Sequence, residues 1–253
     1  MRKFYEKFPT LKKNELYISG ESYAGVYVPY ISKAILDFNK LPSREMTINL
    51  KGFLVNNPCT DPRECYIPRI ARSNSIFQYK YLYNHGFLTE KEYDDMAGAC
   101  TMGYNSPDCA RIRKGLDEKF ESFNTSIFNI YDRCYYQNLS LSAGVSDGLN
   151  TEYKLTQSGG KLKLNGGLSC EDEMGMYNWL NEPVIKGELH VNISKHWTNC
   201  NEQVSSRYQK NPEQSYPLYK ELIKQKLRIW VVSGDHDADV PITGTLTWLE
   251  QLR

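Results

Sequence analysis

A serine stands between two small residues in the stretch SGESYAG, residues 19–25. The pattern small-x-Ser-x-small, here from Gly20 to Ala24, is typical of a sharp strand-to-helix turn that exposes a serine hydroxyl as a nucleophile. Small residues are needed because the strained turn brings backbone segments close together. Ser22 is therefore the candidate nucleophile. The backbone N–H of Tyr23, at the start of a predicted helix, is the candidate donor to an oxyanion.

A second candidate group is a carboxylate in the stretch SGDHDADVP, residues 233–241. Asp235, Asp237 and Asp239 compete for the role of the acid that supports a catalytic histidine, which follows a late strand in enzymes built on such a serine turn. Asp237 is preferred because its spacing places the carboxylate beyond the strand end, braced by Pro241. Asp235 is the alternative, with a loop-organising role. The glycine and glutamate of a calcium loop are missing, so no metal and no cofactor are predicted.

Glu21, immediately before the nucleophile, carries a negative charge that would oppose a developing oxyanion. When protonated, this side chain could instead donate a hydrogen bond to a carboxylate of the substrate. Such a site would be favoured at acidic pH. A salt-bridged surface glutamate is the alternative interpretation.

Three segments that must position these residues are predicted to be buried parallel strands: residues 16–19, 48–57 and 227–234. Each is short, rich in β-branched or aromatic residues, and followed by turn formers. A helix-like stretch, YVPYISKAILDFNK, separates the first two and repeats apolar residues at Val28, Ile31, Ile35 and Phe38. A strand, a helix and a parallel strand in succession predict an α/β domain.

The character of the sequence changes over residues 60–211, where tyrosines are frequent and strand alternation is weak. Helical pieces alternate with glycine-rich loops, and one helix is predicted to begin at Thr89 as N-cap, with Glu92 completing a capping box. We interpret the region as a disulfide-stapled, largely helical cap inserted into a single domain. Residues 1–59 and 212–253 form the predicted core.

Composition limits the class of protein. The formal net charge of +1 over 253 residues argues against nucleic-acid binding. No run approaches the length of a membrane span, so no membrane partner is predicted. Seven cysteines favour an oxidising, secretory-pathway environment. Three N-x-S/T sequons point the same way and are glycosylation candidates: Asn124, Asn138 and Asn192.

Several blocks resemble the serine carboxypeptidases, a family of secreted or vacuolar and lysosomal α/β hydrolases that remove C-terminal residues from peptides at acidic pH. The blocks are SGESYAGVYVP, GFLVNNPCTD, WVVSGDHDADVPITGT, and CEDEMGMYNWLNEPVIKGELHVN followed by HWTNC. The resemblance implies that Ser22 is the nucleophile, the Tyr23 N–H an oxyanion donor, and Asp237 the acid of the triad. It implies that Glu21 binds the terminal carboxylate of a peptide or protein substrate.

Two blocks of that family have no counterpart here. Nothing matches its glycine-rich NGGPGCSS segment, and no histidine follows Asp237. Three histidines lie in the predicted cap: His85, His190 and His196. The fourth, His236, lies within residues 233–241, the stretch that carries the candidate acid and is called the acid loop. A serine hydroxyl without a base is a weak nucleophile. We therefore expect a partial copy of an α/β-hydrolase domain with an incomplete central sheet, whose signal peptide lies upstream.

The odd number of cysteines agrees with this expectation, because it leaves one thiol unpaired. The resemblance implies the pairs Cys100–Cys109 and Cys134–Cys170, and it pairs Cys200 with a cysteine outside these residues. Cys59 and Cys65 then form a local pair.

Three functions are consistent with the sequence. The first is a serine carboxypeptidase that works through an acyl-enzyme. The second is an acyltransferase that uses the same triad and passes the acyl group to an alcohol. The third is an inactive fragment or binding protein. The intact serine turn and acid loop argue against the third, as does the exposed sheet edge of a partial domain, which promotes aggregation. The oligomeric state is not predicted.

Overall fold

The structure is a computed structural model that describes residues 1–43, 46–60, 76–101, 106–123, 125–131, 140–143, 153–156, 173–198, 202–209 and 215–252. The chain forms two compact units. One comprises Met1–Asp117 with Asn211–Arg253, and the other comprises Glu118–Lys210. The predicted cap began at residue 60, whereas the first unit continues to Asp117. Residues 76–100 belong to this unit, where the helix that begins at Ile76 packs against the helix that begins at Ile242.

Five strands are described: β1 (Leu16–Glu21), β2 (Leu50–Asn56), β3 (Ser140–Ala143), β4 (Tyr153–Thr156) and β5 (Arg228–Val232). The helices of the first unit are α1 (Arg2–Lys7), α2 (Ala24–Lys40), α3 (Ile76–Asn84), α4 (Glu90–Cys100), α5 (Pro107–Ser122, which runs past the unit boundary), α9 (Tyr216–Lys224) and α10 (Ile242–Glu250). A 3-10 helix covers Pro9–Lys13. The second unit contains α6 (Glu173–Asn181), α7 (Pro183–Glu188) and α8 (Glu202–Arg207).

The three predicted strands form one parallel sheet in the order β1-β2-β5. Phe53 of β2 lies between Ile18 of β1 and Ile229 of β5, which fixes the register across all three strands. The predicted α/β class is confirmed. Because the strands are parallel, their carboxyl ends lie at one edge of the sheet.

One face of the sheet forms the main core. Phe53 and Val55 of β2 are buried there against α2, α9 and α10, which contribute Val28, Leu222 and Trp248. Burying one such side chain stabilises the fold by about 1.5–3 kcal/mol.

All three strands are predicted to be buried, and this prediction is wrong for one face of β1 and β5. Both strands alternate between partly buried and exposed residues, with Tyr17 42% exposed and Trp230 62% exposed. The central strand β2 is the most buried of the three, because it has a neighbour on each side.

Helix α3 packs against α10 and α4, and the predicted capping box of α4 is confirmed. The Thr89 hydroxyl accepts from the N–H of Glu92 (3.3 Å), and the Glu92 carboxylate accepts from the N–H of Thr89 (2.8 Å). A disulfide joins Cys100 to Cys109, the pair implied by the resemblance. It connects the end of α4 to α5.

Cys59 is also disulfide-bonded. Its predicted partner, Cys65, lies outside the described residues, as do the remaining cysteines assigned to bonds, Cys134, Cys170 and Cys200. The glycosylation candidates Asn124 and Asn138 fall outside the described residues too. Asn192 is exposed in a turn after α7, and its side-chain oxygen accepts from the N–H of Ser194 (3.0 Å).

Within the second unit, β3 and β4 pair antiparallel. Lys186 of α7 is buried and donates from Nζ to the carbonyl of Lys195 (2.7 Å). Among the described parts of the chain, no helix has both the length and the apolar character needed to cross a bilayer.

Candidate active site

Ser22, the candidate nucleophile, lies in the short turn between β1, which ends at Glu21, and α2, which begins at Ala24. We call this turn the nucleophile turn. Ser22 occupies the turn with φ of 55°, in the left-handed region, and is exposed. This backbone conformation is uncommon for a residue that is not glycine. The Ser22 N–H donates to the carbonyl of Asn56 (3.0 Å), and the Ser22 carbonyl accepts from the N–H of Cys59 (2.9 Å). The end of β2 therefore holds the turn in place.

Close packing explains the small residues around Ser22. A Cβ on Gly20 would lie 2.4 Å from the Cβ of Ala24 and 3.0 Å from Cγ2 of Val28. A Cβ on Gly25 would lie 2.6 Å from the carbonyl oxygen of Cys59. Gly20 thus permits the strand to meet the first turn of α2, and Gly25 permits α2 to meet the segment after β2.

Tyr23 immediately precedes α2, so its peptide lies at the positive end of the helix dipole. Its ring packs against Tyr27, with centroids 5.0 Å apart, and against Cys59 and Val240. Val240 belongs to the acid loop, so the ring of Tyr23 connects the nucleophile turn to that loop. A negative charge beside Ser22 would be stabilised at this helix end.

The acid loop follows β5, and Asp237 is the aspartate whose carboxylate is bound on both oxygens. Its Oδ1 accepts from the N–H groups of Asp239 (2.7 Å) and Val240 (3.2 Å). Its Oδ2 accepts from Nδ2 of Asn57 (2.6 Å), which follows β2.

Asp235, the alternative acid, is exposed, and its Oδ1 lies 3.6 Å from Nε2 of His236. Its main chain organises the loop, since the carbonyl of Asp235 accepts from the hydroxyl of Tyr81, a buried residue of α3. The geometry therefore distinguishes the two aspartates: Asp237 faces the sheet, and Asp235 lies on the surface.

Burial raises the pKa of Asp237, and the charge of Glu21 raises it further. The N–H groups of Asp239 and Val240 and the amide of Asn57 oppose this by stabilising the ionised form. Burial also raises the pKa of Asp239 to about 7, with a contribution from the charge of Asp237. The effect of Glu21 on Asp237 means that the nucleophile turn and the acid loop belong to one electrostatic site.

The two loops lie at the same sheet edge on either side of β2. Neighbouring strands are about 4.8 Å apart, so the ends of β1 and β5 are separated by roughly 10 Å. A separation of this size accommodates an imidazole ring between a serine and a carboxylate.

The four histidines are distributed elsewhere in the chain. His85 follows α3 and donates from Nδ1 to the carbonyl of Tyr81 (2.9 Å). His236 neighbours Asp237 in sequence, and its Nε2 lies beside the carboxylate of Asp235. His190 and His196 are exposed in the second unit. Residues 238–253 contain no histidine.

The sequence interpretation missed Asn57 and Tyr81. The predicted strand over residues 48–57 has Asn57 at its end, although two asparagines followed by proline after an apolar run indicate a turn. No pattern in the sequence indicated that Tyr81 reaches the acid loop, because that contact joins residues far apart in the chain.

A serine at positive φ between a parallel strand and a helix, with an acid loop after a later parallel strand, defines an α/β-hydrolase fold. The family model of the serine carboxypeptidases matches residues 1–253. The chain therefore belongs to the serine carboxypeptidase family.

Curated relatives and a solved structure agree with this assignment. The chain is 31% identical over 249 residues to serine carboxypeptidase-like 26 of Arabidopsis thaliana, covering 96% of this chain and 49% of that protein. It is 31% identical over 257 residues to serine carboxypeptidase 24 of the same plant, covering 99% of this chain and 52% of that protein.

A prohormone-processing carboxypeptidase from Saccharomyces cerevisiae has a similar fold, with a TM-score of 0.68 at 20% identity over 100% of this chain and 50% of that one. The chain thus spans about half the length of the proteins it matches.

Proposed function

We propose that this protein is a serine carboxypeptidase that removes C-terminal residues from peptides through an acyl-enzyme at acidic pH. The observation that carries the proposal is the joint attachment of two loops to the end of β2. Asn56 and Cys59 hold the turn of Ser22, and Asn57 holds the carboxylate of Asp237. The proposed nucleophile and the proposed acid are thereby attached to one sheet edge, an arrangement that supports a serine hydrolase.

In the proposed reaction, the Ser22 hydroxyl attacks the carbonyl of the C-terminal peptide bond. A histidine takes the hydroxyl proton and returns it to the leaving amine, and Asp237 orients that histidine. The Tyr23 N–H stabilises the oxyanion from the start of α2. Water then hydrolyses the ester on Ser22, which frees the enzyme and the shortened peptide.

The base of this reaction is a histidine that residues 238–253 do not supply. We infer that turnover depends on a polypeptide containing such a histidine, so the 253 residues by themselves are not expected to turn over substrate. Loss of one triad member lowers the rate by about 10⁴- to 10⁶-fold.

Glu21 is proposed to bind the carboxylate that distinguishes a C-terminal residue. It ends β1 next to Ser22, is exposed, and raises the pKa of Asp237. In its protonated form Glu21 donates a hydrogen bond to the substrate carboxylate, which favours activity at acidic pH. Peptide and protein C-termini are the proposed partners, and the secretory pathway, in a vacuole, a lysosome or outside the cell, is the proposed location.

The test compares two polypeptides: the 253 residues and the product of the complete transcript that contains them. Release of the C-terminal residue is measured between pH 4 and 7 from a peptide with a free carboxylate and from its C-terminal amide. We expect release from the free acid by the longer product, and loss of release in its Ser22→Ala variant. Ser206→Ala, an exposed serine of α8, is the matched control and should retain activity.

Three results would contradict the proposal. Equal cleavage of the amidated peptide would exclude recognition of the carboxylate. Transfer of the acyl group to an added alcohol in preference to water would favour an acyltransferase. A longer product in which neither a peptide nor a fluorophosphonate probe reacts at Ser22 would indicate a non-catalytic protein.

A further inference from the structure

Asn57 occupies a constrained position between the nucleophile turn and the acid loop. It directly follows β2, and its backbone N–H donates to the carbonyl of Val232 at the end of β5 (2.8 Å). Its φ of 39° lies in the left-handed region, which asparagine tolerates better than most residues. The residue is 9% exposed, so its amide must find its partners within the protein.

Both ends of the Asn57 amide are used in the acid loop. Its Oδ1 accepts from the N–H of Gly234 (3.1 Å), at the start of the loop. Its Nδ2 donates to Oδ2 of Asp237 (2.6 Å). A single side chain from the middle strand therefore holds the loop backbone and the carboxylate together.

The surroundings of the Asp237 carboxylate explain why this donor matters. Among the described residues, the titratable groups coupled to it are Glu21, at the end of β1, and Asp239, in the same loop. The charge of Glu21 raises the pKa of Asp237, and the charge of Asp237 in turn raises the pKa of Asp239. The N–H groups of Asp239 and Val240 bind Oδ1, whereas the amide of Asn57 binds Oδ2.

We propose that Asn57 is a positioning residue that orients the Asp237 carboxylate and favours its ionised form. This inference rests on the proposed function, in which the ionised carboxylate supports a histidine. Two backbone groups bind Oδ1 and Asn57 binds Oδ2. Oδ2 keeps a further lone pair, which can accept a hydrogen bond from an imidazole N–H. Asn57 does not contact the reacting atoms, so its effect is exerted through Asp237.

The decisive variant is Asn57→Asp, which has nearly the same shape. It keeps an acceptor for Gly234 and tolerates positive φ, but it replaces the donor to Asp237 by a carboxylate oxygen. Two carboxylates at hydrogen-bond distance share one proton. We expect the carboxyl titration of Asp237, followed by carbon-13 NMR in the 253-residue chain, to move upward by about 2 pH units. Asn57→Gly, which relieves the backbone and removes both contacts, should move it upward by about 1 unit.

Tyr81→Phe is the matched control. It removes the hydroxyl that donates to the carbonyl of Asp235, and so loosens the same loop without touching the carboxylate. A residue with a purely structural role in the loop would behave like Tyr81. We therefore expect Tyr81→Phe to leave the titration of Asp237 unchanged to within about 0.3 units, since its contacts with the ionised form persist.

An unchanged titration in Asn57→Asp would overturn the proposal. If that variant does not fold, Asn57→Gly decides in the same way. Failure of Asn57→Gly to fold, under conditions in which Tyr81→Phe folds, would assign Asn57 a structural role only.

The NMR titration requires no turnover. A shift in the 253-residue chain, together with a longer product that lacks peptidase activity, would therefore contradict the proposed function alone. In an active longer product, the acidic limb of kcat/KM in Asn57→Asp should also move, because the carboxylate of Asp237 supports the histidine that acts as base. An unmoved limb would contradict the positioning role alone.

Discussion

Replacing Gly20 by alanine tests whether the nucleophile turn depends on the close approach of β1 and α2. The added Cβ would lie 2.4 Å from the Cβ of Ala24 and 3.0 Å from Cγ2 of Val28, whereas ordinary contacts begin at 3.4 Å. The strand and helix must therefore separate by about 1 Å. Neither neighbour can rotate away from Gly20, because a Cβ is fixed by its own backbone and Val28 is buried in the core.

We expect Gly20→Ala to lower the free energy of unfolding by about 2–3 kcal/mol, in the upper part of the range for overpacked cores. In a chain of this size that loss corresponds to a decrease in Tm of roughly 5–10 °C. The assay is urea unfolding followed by circular dichroism, with the slope of the transition compared to show that the unfolded surface is unchanged.

Gly115→Ala is the matched control for this prediction. Gly115 lies within α5, and a Cβ there would meet nothing within 4 Å. The same chemical change should therefore stabilise the protein by about 0.5–1 kcal/mol, because alanine restricts the unfolded chain and favours the helix. The two substitutions are predicted to have opposite signs.

The double variant Gly20→Ala/Ala24→Gly tests the mechanism. Removing the Cβ of Ala24 opens the space that the new methyl group needs, although the contact with Val28 remains. The combined loss should be smaller than the sum of the two single losses by about 1 kcal/mol or more. The reasoning would be refuted by a neutral Gly20→Ala, or by single losses that simply add.

Two further predictions concern Asp239 in the acid loop and the disulfide that connects α4 to α5. Asp239 has a folded-state pKa of about 7, above its unfolded value, so stability from this group is full below about pH 4 and is lost as pH rises to 7. Above pH 7, Asp239→Asn should therefore have a larger free energy of unfolding than the natural protein, by at most about 4 kcal/mol, as measured by urea unfolding. Near pH 4 the two proteins should have equal free energies of unfolding. A difference that does not change with pH would contradict this prediction. Replacing both Cys100 and Cys109 by serine removes a disulfide with a sequence separation of 9 residues, and should lower the free energy of unfolding by about 2–3 kcal/mol. A double variant that unfolds at the same urea concentration as the natural protein, both without reductant, would contradict this.

The amino-acid sequence by itself determined the parts of the protein that depend on local order. Short runs rich in β-branched or aromatic residues predicted the three strands, and apolar residues at helical spacing predicted α2. The small residues around Ser22 predicted the turn between β1 and α2. The capping box at Thr89 was also readable, because its partners are three residues apart. Sequence blocks in register with a family were enough to predict the fold class and the family.

Only the tertiary structure decided how distant residues meet. Asp237 differs from Asp235 in its hydrogen bond from Asn57, which is 180 residues from Asp237 in the chain and adjacent to it in space. The burial that raises the pKa of Asp239 depends in the same way on packing around the loop. Contacts of this kind arise when parallel strands bring their carboxyl ends to one edge, and no local pattern in any single strand records them.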